Sequence, residues 1–255
     1  MQLHGSICAL VTPFDAREQL DFLALDRLLD WHLASGTHGL VLAGSTGEAA
    51  LLDDDEYRVL IAHAVQRVSG RIPVIAGIGS PSTRKSVAYA RIAAEAGADA
   101  VLAVTPYYVR PTQHGLIAHY LHLAVASPLP IILYNVPGRT GCDLLPETVA
   151  ALATHPRIVG VKEARSEPER MAALLKLQSP DFAVLSGDDP TALHAMLAGA
   201  KGTISVAANV APRAFAALCE RAASANEATR LTAQDLDRAL YELYRVLGLE
   251  SNPIP

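Results

Sequence analysis

Short, nearly unbroken apolar runs alternate along this chain with longer stretches whose apolar residues recur every three or four positions. The runs are SICALVT (6–12), HGLVLAG (38–44), PVIAGIG (73–79), AVLAVTP (100–106), PIILYNV (130–136), IVGVKEA (158–164), FAVLSGD (182–188) and GTISVAA (202–208). Continuous apolar runs of this length suit parallel strands buried on both faces. The longer stretches read as amphipathic helices. Residues 23–36 place Leu25, Leu28, Leu29 and Leu33 on one stripe before Gly36, and 84–98, 189–200 and 211–224 repeat the scheme. Eight such β–α units predict a (β/α)8 TIM barrel over residues 1–224. A doubly wound open sheet is the alternative, but it has no need of eight evenly spaced units, and no glycine-rich dinucleotide motif follows the first strand. A last helical stretch, 227–248, leads to LESNPIP. Residues 225–255 are therefore expected to be the start of a truncated C-terminal helical extension.

Composition narrows the function classes. Aromatic residues make up only 5% of the 255 positions, so the core must be built from Ala, Leu, Val and Ile. A net charge of −5 without a basic cluster gives no reason to expect nucleic-acid binding. No apolar run reaches the ~18–20 residues of a membrane span, and the first residues do not read as a signal peptide. Cys8, Cys142 and Cys219 are widely spaced and odd in number, which fits reduced thiols in the cytoplasm. His119 and His122 share a helical spacing, but a solvated helix face is expected there, and no metal.

The active end of such a barrel is built from the C-terminal ends of its strands and the loops that follow. Lys162, one of only four lysines, falls there within an apolar strand. Strict alternation puts Ile158, Gly160 and Lys162 on one face and Val159, Val161 and Glu163 on the other. The glycine is expected to clear space beside the lysine. Burial favours the neutral amine, the form that attacks a carbonyl to make a Schiff base; the alternative is an ammonium paired with Glu163. GSTGE (44–48) offers Ser45 and Thr46 between glycines, either as an anion cradle or as a plain turn capping a helix whose first turn holds Glu48. Tyr134 is a proton relay or a core aromatic, and Arg139 a carboxylate grip or a solvated loop charge. Tyr107 and Tyr108 form a surface aromatic pair or a subunit contact that lends a ring to a site.

These motifs, with LVTPF, VTPYYVRPTQHGL, YNVPGRTGCDLLPETV, GVKEA, LSGDD, GTISVAANV and NPIP, make the chain resemble the pyruvate-dependent class I aldolase family of (β/α)8 barrels, which includes the N-acetylneuraminate lyases. The resemblance runs over essentially the whole chain. It implies that Lys162 is the Schiff-base lysine and Tyr134 the relay tyrosine, with Thr46 and a tyrosine donated across a dimer interface, Tyr108, completing the relay. It implies that Arg139 binds the carboxylate of an aldehyde substrate, that Ser45 and Thr46 supply hydroxyls, and that Gly187 and Ile204 line the pyruvate pocket. The substrates so implied are pyruvate and L-aspartate 4-semialdehyde, in the branch that serves diaminopimelate and lysine biosynthesis, with no cofactor and a homodimer or homotetramer as the assembly. A sugar-acid aldolase is the second reading, and Arg139 speaks against it; a non-catalytic barrel is the third.

Two departures from the family pattern stand out. Where lysine-inhibited members carry histidines and a glutamate, this chain has Asp54, Tyr57, Pro81 and Lys85, with Tyr107 retained. A lysine in place of the glutamate repels the effector's ammonium, so weak or absent lysine feedback is expected. Family members also run some tens of residues beyond NPIP as helices that help tetramers assemble.

Overall fold

The computed structural model describes residues 3–255. Eight parallel strands close a barrel in sequence order, with β8 pairing back onto β1. They are β1 (Gly5–Ala9), β2 (Gly39–Leu42), β3 (Val74–Gly77), β4 (Ala100–Val104), β5 (Ile131–Asn135), β6 (Ile158–Glu163), β7 (Ala183–Ser186) and β8 (Gly202–Ser205). β2 to β8 each lie inside one of the apolar runs, and β1 starts one residue before its run. The helices are α1 (Phe22–Ala34), α2 (Asp54–Val68), α3 (Thr83–Glu95), α4 (Gln113–Ala126), α5 (Pro137–Thr140), α6 (Pro146–Leu152), α7 (Pro168–Leu175), α8 (Asp189–Leu197), α9 (Pro212–Ala222) and α10 (Glu227–Leu247).

Local chemistry fixes where helices start. Asp53 caps α2 in a reciprocal box with Glu56, and Asp21, Ser82, Thr112 and Asn226 each accept an amide hydrogen bond at the start of α1, α3, α4 and α10. Proline is the first residue of α5, α6, α7 and α9 and the second of α8, within the first turn, where its missing N–H costs nothing. The core has two layers. Ile7, Val41, Ile75, Leu102, Ile132, Leu185 and Ile204 fill the barrel interior, while leucines and alanines from the outer strand faces pack under the helices. α10 lies against α8 and α9, burying Ala233, Leu240 and Tyr244, whose ring meets Phe215 edge-on at 6.0 Å. The chain then returns to the mouth of the barrel at Asn252 and Pro253.

Strict alternation fails in β6. Ile131 pairs with Ile158, but Ile132 pairs with Gly160, so Val159 is an extra residue and the strand bulges. Ile158 consequently joins the outer layer and does not share a face with Lys162. Gly160 also has a different reason from the one expected. A Cβ there would stand 2.6 Å from the Ala183 carbonyl oxygen, so the glycine permits close approach of β7.

His119 is buried, contrary to a solvated helix face; only His122 is exposed. The His119 Nδ1 lies 2.8 Å from the Thr83 hydroxyl, and burial brings the His119 pKa down to about 4. His32 repeats the arrangement with Thr37 at 2.9 Å, and burial lowers it also to about 4. In both rings Nε2 is buried without a partner, so a protonated ring would keep a charged N–H with no acceptor. No cluster of His, Cys, Asp or Glu suited to a metal ion occurs among the described residues.

Candidate active site

A cavity of 340 Å³ opens at the C-terminal ends of the strands. Its walls include Ser45, Glu48, Tyr107, Tyr134, Arg139 and Asn252. Thr46, Lys162, Gly187 and Ile204 are not among its lining residues, although Thr46 and Lys162 each contact one that is, Asn252 and Tyr134 respectively. Lys162 and Tyr134 are Cα partners on adjacent strands. The Lys162 Nζ sits 4.3 Å from the centroid of the Tyr134 ring, and both residues are buried. Ile204 packs with Tyr134 inside the barrel. Gly187, just past β7, is the residue that makes room for the lysine. A Cβ there would stand 2.8 Å from Lys162 Cε and 2.9 Å from its Cγ.

The alternative for Lys162, an ion pair with Glu163, is excluded. Glu163 points to the opposite face, where Arg170 Nε donates to it at 2.6 Å, Asn135 Nδ2 at 3.0 and 3.1 Å, and the Arg165 amide at 2.8 Å. Burial pushes the Glu163 carboxyl above its ordinary pKa, and hydrogen bonding to Arg170 pulls the other way. Arg170 and Arg165 both also pair with Asp143, and Asn135 donates to Asp143 at 2.9 Å. This network braces the outer side of β5 and β6 behind Tyr134 and Lys162. Among the described residues, no carboxylate forms an ion pair with Lys162.

The GSTGE segment is not a helix start. It forms a chain of turns, and α2 begins only at Asp54. Glu48 has a left-handed backbone, φ 57°, and half-buries at the cavity wall instead of joining a first helical turn. Thr46 is buried, and its hydroxyl accepts a hydrogen bond from Asn252 Nδ2 at 2.9 Å. Arg139 donates to the Asn252 carbonyl at 2.9 Å. Asn252 thus joins the hydroxyl expected in the relay to the expected carboxylate grip. Only its place in the NPIP motif marked it in the sequence.

Tyr107 and Tyr108 part company. Tyr107 lines the cavity, whereas Tyr108 is 90% exposed on a backbone with φ 71°. A left-handed tyrosine is costly, and here it turns the ring out of its own barrel. Exposed Leu51 and Val109 belong to the same rim segments. At the positions compared above with lysine-inhibited members, Tyr57 is buried with its ring tilted against Tyr89 at 4.7 Å, and the Tyr89 hydroxyl donates to Asp54 at 2.9 Å. Lys85 Nζ rests 5.3 Å from the Tyr89 centroid.

A family model, the dihydrodipicolinate synthetase family, matches residues 2–255. A 4-hydroxy-tetrahydrodipicolinate synthase of Xanthomonas axonopodis pv. citri is 56% identical over 255 residues, which is 100% of this chain and 83% of the relative. A synthase of the same name from Pseudomonas aeruginosa is 51% identical over 251 residues, 98% of this chain and 85% of the relative. Among solved structures, the chloride-inhibited dihydrodipicolinate synthase of Acinetobacter baumannii, complexed with pyruvate, superposes with a TM-score of 0.96 at 44% identity, covering 100% of this chain and 86% of that one. A monomeric dihydrodipicolinate synthase variant gives a TM-score of 0.95 at 38% identity, with 99% and 84% covered.

Proposed function

The chain belongs to the dihydrodipicolinate synthetase family, and from that premise we propose that Lys162 carries the chemistry of a 4-hydroxy-tetrahydrodipicolinate synthase. The protein is a lyase of diaminopimelate and lysine biosynthesis that condenses pyruvate with L-aspartate 4-semialdehyde. The Lys162 amine adds to the ketone carbon of pyruvate and water leaves, giving the imine. Loss of a methyl proton gives the enamine, whose terminal carbon attacks the aldehyde. The substrate's own amine then displaces Lys162 from the imine carbon, closing the ring and freeing the lysine. One water is lost overall.

The observation that carries this reading is a buried amine on the inner face of β6, held over Tyr134, with Glu163 committed elsewhere. Arg139 at the cavity wall offers a guanidinium to the semialdehyde carboxylate, a group that a fork of N–H donors recognises well. Thr46 and Tyr134 move protons between the reacting carbons and water. Tyr108 does so in a neighbouring subunit of a homodimer or homotetramer, a role its exposure supports. Ser45 contributes its hydroxyl at the wall, and Gly187 and Ile204 shape the pyruvate end. A cytoplasmic location belongs to the same reading, and three buried free thiols are compatible with it.

Treatment with pyruvate and borohydride tests the assignment. A single pyruvate-derived mass increase confined to Lys162 is expected. Folded protein that gains no adduct, or gains it at Lys85, Lys176 or Lys201, refutes it.

A further inference from the structure

We infer that Asn252 is a positioning residue for the condensation: its side chain orients the Thr46 hydroxyl, while its main chain holds Arg139. The inference rests on the reading of the site given above and adds a residue to it. Three observations converge on this position. The Asn252 side-chain amide donates to Thr46 Oγ1 at 2.9 Å. The Arg139 guanidinium donates to the Asn252 carbonyl at 2.9 Å. Asn252 and Pro253 themselves form part of the cavity wall.

A threonine hydroxyl is a rotor with one proton to give and two lone pairs to offer. A free rotor presents its proton in several directions, and only one of them serves a relay. An amide N–H fixed on one lone pair forbids the proton from pointing at residue 252. It must point elsewhere, and Thr46 is buried, so the choice of acceptors is small. An asparagine amide does not titrate near neutral pH and so moves no proton of its own. Its part is to fix the aim of a group that does. The second contact has a different consequence. Because Arg139 is held by a main-chain carbonyl, the grip on the semialdehyde survives when the Asn252 side chain is altered. The two functions of this residue are therefore separable by mutation.

The experiment compares the unaltered protein, Asn252→Ala, Asn252→Asp, Thr46→Val and the double variant Thr46→Val/Asn252→Ala. Each is checked for folding by its thermal transition. Three readouts are used: borohydride trapping of pyruvate on Lys162, deuterium exchange into the pyruvate methyl group, and steady-state kcat and KM. In Asn252→Ala, trapping persists and the semialdehyde KM stays within about twofold, while methyl exchange and kcat fall by roughly 10–100-fold, part of the ~10²–10⁴ that a placed proton-transfer group supplies. Asn252→Asp keeps the shape but turns the donor into an acceptor, which draws the Thr46 proton towards residue 252; its loss is at least as large. The double variant loses no more than Thr46→Val alone, because both changes remove one function. Unchanged exchange in Asn252→Ala, or additive losses in the double variant, overturns the inference while leaving the Lys162 assignment intact. No adduct on the unaltered protein overturns the assignment first.

Discussion

Gly187→Ala should silence this site while leaving the barrel folded. The added Cβ would stand 2.8 Å from Lys162 Cε, 2.9 Å from Lys162 Cγ and 3.1 Å from Ala164 Cβ. Carbon pairs settle at about 3.5–4.0 Å, so the lysine stem must retreat by roughly 0.6–1.2 Å. Misplacing a reacting group by about 1 Å costs on the order of 10²-fold in rate. The two closest atoms belong to a flexible side chain, and Ala164 Cβ need give by only a few tenths of an ångström. The stability cost therefore sits at the low end of the ~1–3 kcal/mol typical of overpacking, a fall in Tm of about 2–4 °C. Gly160→Ala is the control. Its Cβ meets the Ala183 carbonyl at 2.6 Å, which is backbone of β7, so the barrel itself must spread and stability falls first. The assay is the rate of pyruvate trapping on Lys162, read by mass against time, beside kcat and a thermal melt for both variants. Trapping and turnover in Gly187→Ala equal to those of the unaltered protein would refute the packing argument. So would a Gly187→Ala variant less stable than Gly160→Ala.

Three further outcomes are expected. Arg139→Ala removes a charge-assisted hydrogen bond to substrate of about 1.5–3 kcal/mol, so kcat/KM for the semialdehyde falls by roughly 10–150-fold while pyruvate trapping is untouched; equal losses for both substrates would contradict the carboxylate role. Burial holds His32 and His119 at a pKa of about 4 against an ordinary 6.5, so the unfolded chain binds protons first as pH falls. The stability they contribute is present above pH 6.5 and lost on the way down to 4, on the order of 3 kcal/mol for each ring. Melts recorded across that window should show the loss, and His119→Gln should flatten the curve; a Tm independent of pH there counts against it. Finally, with Lys85 seated beside Tyr89 and Tyr57 buried, added L-lysine is expected to leave the steady-state rate unchanged. Half-maximal inhibition at physiological lysine would reverse that conclusion.

The barrel was legible because each of its eight strands is buried on both faces and so announces itself as an apolar run. The proposed site was legible because Lys162 interrupts one of those runs near its end. What the periodicity could not carry is informative in physical terms. A bulge at Val159 changes the phase of a strand without changing its composition, so Ile158 was assigned to the wrong face. The two glycines near Lys162 differ only in their three-dimensional neighbours: Gly160 admits a strand and Gly187 admits the lysine stem. Glu48 sits at helical distance from a capping motif, yet the true cap is Asp53. His119 looked solvated because its burial depends on α3, and its partner Thr83 lies 36 residues away. Asn252 was hidden for the same reason, 206 residues from Thr46.

That last separation bears on how the protein is born. Synthesis runs from one end of the chain to the other, and Thr46, Tyr134 and Lys162 all emerge well before Asn252. β1 has no second neighbour until β8 has been made, and the site's outer wall is not closed until the segment after α10 has folded back. A nascent chain therefore carries Lys162 in a sheet that has not yet closed. The contacts that Asn252 makes with Thr46 and Arg139 can form only once the segment after α10 has been synthesised, so they are among the last in this cavity to be made.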